Sequence, residues 1–388
     1  MKTRVCVLTS VHPPFDVRIF HKECQSLANA GYDVTLIAPH TKNEQRGAIR
    51  LLAVPRHENR LRRLLQSVPA VYRLALRENA DIYHFHDPEL IPVGLLLRAQ
   101  GKKVIYDMHE DLPATFSYKN YLPRWLRGPL SKVAGIVENL SARWFSALIS
   151  ANPPTADRFS KDRGMVTIVQ NFPLMQEFPR VGRANGDTRN SLVYVGLRLT
   201  KARGVEEMVR AMGLLGPNTD ARLKLIGAFD PPELPEELSR IPGWERVDCL
   251  GMLGRSQVSD VLCQARVGLS VLHPEPNYVN AQPVKLYEYM GVSIPVIVSD
   301  FPVLRRIVEV TRCGLLVDPL DPSDIAEAIE YLWNNPREAN EMGERGRLAV
   351  ETRFNWMHEE KALLGLYNNL GAGGTRNEFV SVQMERRA

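Results

Sequence analysis

This sequence predicts an α/β protein built from two Rossmann-like, doubly wound domains facing a central cleft. Three observations carry the prediction. Short apolar runs alternate with amphipathic helical stretches from the N-terminus onward. The alternation lapses once, over about residues 172–191, in a stretch dense in proline, glycine, asparagine and charge. It then starts again. Such alternation puts parallel strands in a sheet with crossover helices on both faces. Ligands of these sheets bind beyond the carboxyl ends of the strands, so two sheets offer two sets of loops to one cleft.

In order along the chain, the first strand is predicted at 4–9. Asp16 is a predicted N-cap, followed by a helix whose apolar residues Phe20, Cys24, Leu27 and Ala28 recur at helical spacing, and Gly31 ends it. Strands follow at 34–38, 82–85, 103–106 and 147–150. After the lapse, strands are predicted at 192–195, 223–226, 247–250, 267–272, 295–299 and 314–317, with helices between them. In one of these helices Pro283 suits the first helical position and Gly291 the residue just past the end. Three helices, roughly 322–334, 337–352 and 356–370, close the pattern ahead of a glycine-rich tail.

The 388 residues are 44% apolar and 24% charged, an ordinary globular composition that excludes disordered, collagen-like and disulfide-scaffold proteins. No apolar run reaches the ~20 residues that span a bilayer, and the first residues read as a strand, not a signal peptide. Five cysteines without CxxC spacing read as reduced thiols in a cytoplasmic protein. The net charge of +5 is unevenly placed. Residues 1–180 hold 25 basic and 16 acidic side chains, and the remainder carries a net negative charge. Between Arg46 and Arg77 stand eight arginines and one acid, Glu58. That patch reads either as a solvated helical face or as an attractor of phosphate on a lipid, nucleic acid or substrate.

Four loops at strand ends hold candidate chemistry. In LVYVGLRLTKARGVEEMV, Gly196 ends a strand, Arg198, Lys201 and Arg203 line a loop, and Gly204 opens a helix. Free N–H groups and the helix dipole there, with basic side chains beside them, suit a diphosphate. The spacing matches neither a dinucleotide fingerprint nor a Walker loop. In HPEPNYVNAQPVKLYEYMG, Lys285 and Glu288 share one helical face, as a surface ion pair or as groups for a phosphate and a ribose diol. SVHPPFDVRIFH offers His12, Asp16 and Arg18. YDMHEDLP offers Asp107, His109, Glu110 and Asp111. A histidine at a strand's carboxyl end can serve as acid, base or hydrogen-bond donor. His84-x-His86 has no third ligand at metal-like spacing, so no metal site is expected.

These motifs, with CGLLVDP and the final FNW segment, resemble the GT-B fold glycosyltransferases of family 4, which are retaining and use nucleotide-sugars. The likeness covers nearly the whole chain to about residue 370, and PVKLYEYMGVSIPVIVSD is its most specific part. The resemblance implies an acceptor-binding domain at 1–180, with the helix at about 356–371 packing back on it. It implies a donor-binding domain at 181–355, and a flexible tail at 372–388. Arg198 and Arg203, with Lys201 as a rival, would grip the donor diphosphate with Gly196 and Lys285. Glu288 would bind the ribose, as the second glutamate of an E-x7-E motif. The first falls at Asn280, which keeps hydrogen-bonding capacity and loses charge. His109 would lie beside the transferred sugar, and His12, Asp16, Arg18 and Glu110 on the acceptor side. His12-Pro13-Pro14 replaces the usual glycine pair.

The activity so implied is transfer of a hexose-type sugar from a nucleoside-diphosphate sugar to a saccharide, without a required cofactor or metal. The basic first half, and Trp125 and Trp144 among Arg124, Arg127 and Arg143, suit a lipid-linked acceptor, surface-polysaccharide synthesis and a peripheral position on the inner membrane face. Buried core is the alternative for both tryptophans. Rival readings are a nucleotide-sugar epimerase of the same fold and a non-catalytic sugar-nucleotide-binding protein. Nucleic-acid binding lacks a reading module.

Overall fold

The computed structural model describes residues 2–109, 112–113, 123–163, 166–179, 190–217 and 219–371. The chain divides into two compact units, residues 1–171 with 357–388, and residues 172–356. The division falls at Asn171/Phe172, where the sequence places it at 180/181. Phe172 and Phe178 explain the difference, because both are buried in the second unit's core.

In the first unit the strands are β1 Arg4–Leu8, β2 Asp33–Pro39, β3 Glu44–Arg46, β4 Ile49–Val54, β5 Ile82–Phe85, β6 Lys103–Met108, β7 Ala147–Ser150 and β8 Val166–Ile168. They form one sheet in the order β3-β4-β2-β1-β5-β6-β7-β8, parallel except for the β3–β4 pair. Three of these strands, β3, β4 and β8, are not predicted from the sequence. β4 lies inside the arginine-rich stretch, where the charge masks the apolar face that Ile49, Leu51 and Val54 bury, and β3, Glu44–Arg46, has no apolar residue. The arginine patch is therefore not a single helical face. Arg46 and Arg50 lie on strands, while Arg60, Arg62, Arg63, Arg73 and Arg77 lie on helical segments. Arg46 pairs with Glu44, Arg50 with Glu78 and Arg63 with Glu89.

Strand alternation decides what the central strands bury. Tyr83 and Phe85 of β5, with Tyr106 and Met108 of β6, join the aliphatic core on one face. His84 and Asp107 point to the other face, also fully buried. A π-helical segment, Val17–Cys24, runs into an α-helix, Gln25–Asn29, and Gly31, at φ +94°, ends the run. Asp16 caps it through Oδ1, which accepts from the Arg18 and Ile19 amides at 2.9 and 3.0 Å. The helix Trp356–Gly371 clusters with this unit. Its Tyr367 hydroxyl lies 2.9 Å from His84 Nδ1.

The second unit has strands β9 Ser191–Leu199, β10 Arg222–Phe229, β11 Val247–Gly251, β12 Val267–Ser270, β13 Val296–Ser299 and β14 Gly314–Val317. All are parallel, in the order β11-β10-β9-β12-β13-β14. Both faces are covered. Leu192 and Tyr194 enter one core with Met208 and Met212, and Val193 enters the other with Leu286, Tyr289 and Met290. The predicted helix at 284–291 is present as Val284–Gly291, with two corrections. Pro283 is its N-cap residue, not its first helical residue. Gly291 is its last helical residue, and Ser293 takes the left-handed backbone at φ +58°. Arg347 stabilises that end, donating from Nη1 to the Gly291 and Phe178 carbonyls.

The Phe172 ring sits edge-on to Tyr287 at 4.8 Å and beside Phe354 at 5.4 Å. Truncating such a ring costs about 3–5 kcal/mol. Phe172→Ala is expected to lower the second unit's transition in scanning calorimetry and leave the first unit's in place.

Candidate active site

The carboxyl ends of β1, β5 and β6 gather one group of polar side chains. Asp87, just past β5, is buried, and its Oδ2 accepts from Thr9 Oγ1 at 2.8 Å and the Ser10 amide at 2.6 Å. His12, just past β1, lies between two acids, with Nδ1 3.5 Å from Asp16 and Nε2 3.5 Å from Asp87. Burial opposes a charge on His12, and Asp16 and Asp87 outweigh it, so its pKa is raised. Asp16 is pulled down despite its own burial, through His12 and the Ile19 amide. The His12 and His109 rings are 5.1 Å apart. His109, one-fifth exposed, shares a 2.9 Å hydrogen bond between its Nε2 and His86 Nδ1.

Behind these groups lies a buried charged cluster. Arg18 is only 4% exposed. Its Nη2 donates to Asp107 Oδ2 at 2.8 Å, its Nη1 to the Val169 carbonyl at 2.8 Å, and its Nε lies 2.9 Å from Glu23 Oε1. Burial alone would raise the Asp107 carboxyl. Arg18, with help from His109 and His84, holds it well below the carboxylate range instead. Burial pushes Glu23 well up and depresses both His84 and His86.

The second unit's site forms where β9 meets the next helix. β9 runs to Leu199, so Arg198 is a strand residue and not the loop residue the sequence suggests; its exposed side chain pairs with Asp230 at 3.0 Å. Lys201 is exposed and paired with Glu237 at 2.6 Å. Arg203 is different. It closes the turn Lys201–Arg203 and lies half-buried, its guanidinium carbon 5.6 Å from the Tyr278 ring centroid. Gly204 follows at φ +71°, and a Cβ there would fall 2.0 Å from the Val271 carbonyl oxygen. Only glycine fits this turn, which opens the helix Val205–Leu214.

Lys285 is 8% exposed and therefore not half of a surface ion pair. Its Nζ sits 3.5 Å from the Tyr194 ring centroid and has no hydrogen-bond partner. Burial pushes its ammonium well below the lysine range, and Arg203 adds to the push while Glu288 opposes it. Arg203 has no carboxylate at ion-pair distance among the described residues. Two cations thus converge on Tyr194, each short of a counter-charge, beside a helix N-terminus. Such a site lowers its energy by taking an anion.

Glu288 is half-buried on the same helix as Lys285, and Asn280 ends the short helix Pro276–Val279 with its side chain exposed. Gly196 lies within β9, where its carbonyl comes so close to Gly227 that a Cβ on Gly227 would fall 2.0 Å from it. Of the acceptor-side residues, His12 and Asp16 stand together, Arg18 is buried behind them, and Glu110 and Asp111 lie outside the described residues. Sequence reasoning missed Asp87, Glu23, Tyr194 and Tyr278. Asp87 was findable, since it ends β5 as His109 ends β6. So was Glu23, an acid on the stripe of Phe20, Cys24 and Leu27.

The comparisons with known proteins agree with this architecture. The family "Glycosyl transferase 4-like domain" matches residues 17–169, and "Glycosyl transferases group 1" matches 189–335. MMP alpha-(1->4)-mannosyltransferase of Mycolicibacterium hassiacum is 23% identical over 76% of this chain and 72% of its own. Alpha-maltose-1-phosphate synthase of Mycolicibacterium smegmatis is 30% identical over 47% of this chain and 49% of its own. Among solved structures, sucrose-phosphate synthase of Thermosynechococcus elongatus superimposes with a TM-score of 0.78 at 20% identity, covering 96% of this chain and all of that one. Anabaena HepE, in complex with UDP-glucose, gives 0.70 at 14% identity over 94% and 99%. The chain belongs to the GT-B glycosyltransferases of family 4 type, and it is a glycosyltransferase.

Lys285→Met keeps the length of the side chain and removes the charge. An unpaired buried polar group costs roughly 1–3 kcal/mol in proteins, so the variant is expected to melt about 2–6 °C higher than the wild type. The depressed amine penalises the fold fully below its folded pKa. The penalty fades as pH rises toward the ordinary lysine value, so the gain should shrink at alkaline pH. Thermal melts across pH check both.

Proposed function

We propose that this glycosyltransferase is retaining and takes a hexose-type sugar from a nucleoside-diphosphate sugar. The observation that carries the donor class is the pair Arg203 and Lys285. Breaking the sugar–phosphate bond leaves a nucleoside diphosphate, whose growing negative charge needs fixed positive groups. Arg203, Lys285 and the N-terminus at Gly204 provide them, so the reaction centre needs no metal ion to do so. Glu288 is suited to accept from a ribose diol. Solved structures that share the fold hold UDP-glucose or UDP, which supports the same donor class.

His109, held in place through His86, is the first unit's candidate for acting on the transferred sugar, and the Asn280 amide, which hydrogen-bonds hydroxyls without bringing a charge, is the second unit's. Neither is a carboxylate nucleophile, so the retention that the family resemblance implies would come from the acceptor attacking the face the phosphate leaves. His12, between Asp16 and Asp87, faces the acceptor.

The acceptor we propose is a saccharide on an anionic lipid carrier, of the kind used in surface-polysaccharide synthesis, with the enzyme resting on the membrane. On the helix Arg124–Ala142, Val133, Ile136, Val137 and Leu140 recur at i, i+3, i+4 and i+7 and are exposed. Trp125 is 76% and Trp144 68% exposed, which excludes the buried-core alternative. Leu61, Leu64 and Leu65 are exposed among Arg60, Arg62 and Arg63. Apolar faces flanked by basic groups favour the interface of an anionic bilayer. No helix among the described residues is long and apolar enough to cross a membrane.

Thermal shift with UDP, GDP and ADP and their sugar conjugates tests the donor site, since a ligand of the folded state raises its midpoint. One nucleotide should shift the wild type, with magnesium or with EDTA. Arg203→Ala should weaken that affinity about tenfold to a hundredfold, the worth of one charged hydrogen bond. Unchanged affinity in the variant would remove the donor assignment, and an inverted product anomer would remove the retaining one. Separately, the protein should co-sediment with vesicles containing anionic phospholipid, and Trp125→Glu with Ile136→Glu should abolish this without changing donor affinity.

A further inference from the structure

We propose that Glu23, His84, His86 and Asp107 form a closed, structural site for a divalent transition-metal ion, zinc by its ligand chemistry, inside the first unit. The proposal is independent of the donor and acceptor assignments. The four residues come from the helix Val17–Cys24, from β5 and its end, and from β6, and all four are buried. One ligand-capable atom of each lies within 4.8 Å of the others. The sequence shows only His84-x-His86; the fold supplies the third and fourth residues.

The hydrogen bonds around the cluster separate a metal site from an ordinary buried network. Each histidine already uses Nδ1, His84 toward Tyr367 at 2.9 Å and His86 toward His109 at 2.9 Å. That leaves both Nε2 atoms and Glu23 Oε2 buried without a hydrogen-bond partner, while Glu23 Oε1 has only its ion pair with Arg18 Nε. Buried polar atoms are rarely left so. His86 Nε2 is 3.6 Å from Glu23 Oε2, and His84 Nε2 is 3.8 Å from Asp107 Oδ2. These separations are too long for hydrogen bonds. They approach the edge of a tetrahedron around zinc, about 3.3 Å for ligand distances near 2.0 Å.

Charge admits a cation without selecting it, since a divalent ion takes the cluster from −1 to +1. Glu23 and Asp107 bring two negative charges and Arg18 one positive. A proton on Glu23 would balance them and still leave both imidazole nitrogens unpartnered. A cation meets all four groups. Arg18, against both carboxylates, and Tyr367 and His109, on the far nitrogens, then hold the ligands in orientation, as partners of metal ligands do. Two imidazoles and two carboxylates suit zinc, and a fully buried four-ligand set with no open position marks a structural ion. With Nε2 of His86 on the metal, its Nδ1 carries the proton and donates to His109 Nε2. His109 then presents Nδ1–H. The ion thereby fixes the tautomer of the histidine at the candidate reaction centre.

The test uses the full chain, purified without a polyhistidine tag. Mass spectrometry of metals should find stoichiometric zinc. Stripping with dipicolinate should lower the melting temperature, and zinc sulfate should restore it. Cobalt(II) added to the stripped protein should show the intense visible bands of a tetrahedral nitrogen–oxygen site, a readout that needs no variant. Glu23→Gln should lose zinc affinity by more than about tenfold. The proposal is overturned if neither zinc nor cobalt is taken up by the wild type, if cobalt shows only weak octahedral bands, or if Glu23→Gln binds zinc as the wild type does.

Discussion

A guanidinium buried beneath the carboxyl edge of the first sheet is the contact on which that unit's candidate site depends. Arg18 reaches from the helix after β1 to Asp107 on β6 and to the carbonyl of Val169 beyond β8. A buried charge is costly unless paired and hydrogen-bonded, so this side chain is tolerated only while those three elements keep their places. The loop ahead of it inherits the constraint. Asp16 caps the helix that carries Arg18, and His12 is held against Asp16. His84 and His86 close over Asp107, and His86 in turn holds His109. The positions of these side chains thus follow from a charge that water cannot reach.

The second unit reaches a comparable end by a different route. Its sheet is apolar on both faces, and its polar chemistry sits at the edge, where β9 gives way to a helix at Gly204. There the instability is left in place. Lys285 lies against Tyr194 with nothing to accept its protons, and Arg203 adds like charge beside it. A buried charge without a hydrogen bond costs stability in the free protein, a departure from the most stable arrangement that is common at functional sites. The first unit buries Arg18 against two carboxylates; the second leaves Lys285 Nζ without a hydrogen-bond partner.

Much of the fold was legible because buried parallel strands are nearly continuous apolar runs and their helices have a distinct period. β1, β5, β6 and β7 are seen from those runs alone. β3 and β4 were not, because β3 has no apolar residue and Arg50 interrupts the apolar run of β4 without breaking the strand. Candidate site residues at strand ends, among them His12, His109 and Arg203, were legible from the carboxyl-edge rule. The roles of Arg198 and Lys201 were not. Local sequence cannot show that Asp230 and Glu237, some thirty residues away, already occupy them.

By itself, the sequence determined the two-sheet α/β class, the position of the break between the units to within about ten residues, and the glycine turn at Gly204. These depend on periodicity and on backbone conformation, which neighbours in sequence control. Only the tertiary structure decided which basic residues are unpaired, that Lys285 is buried, and that Glu23 and Asp107 join the two histidines of β5. Partners brought together across 61 and 84 residues, as Glu23 is to His84 and Asp107 to Glu23, leave no local mark. Their meeting is fixed by strand order and by the helix that crosses it, because burial and charge act through space and not along the chain.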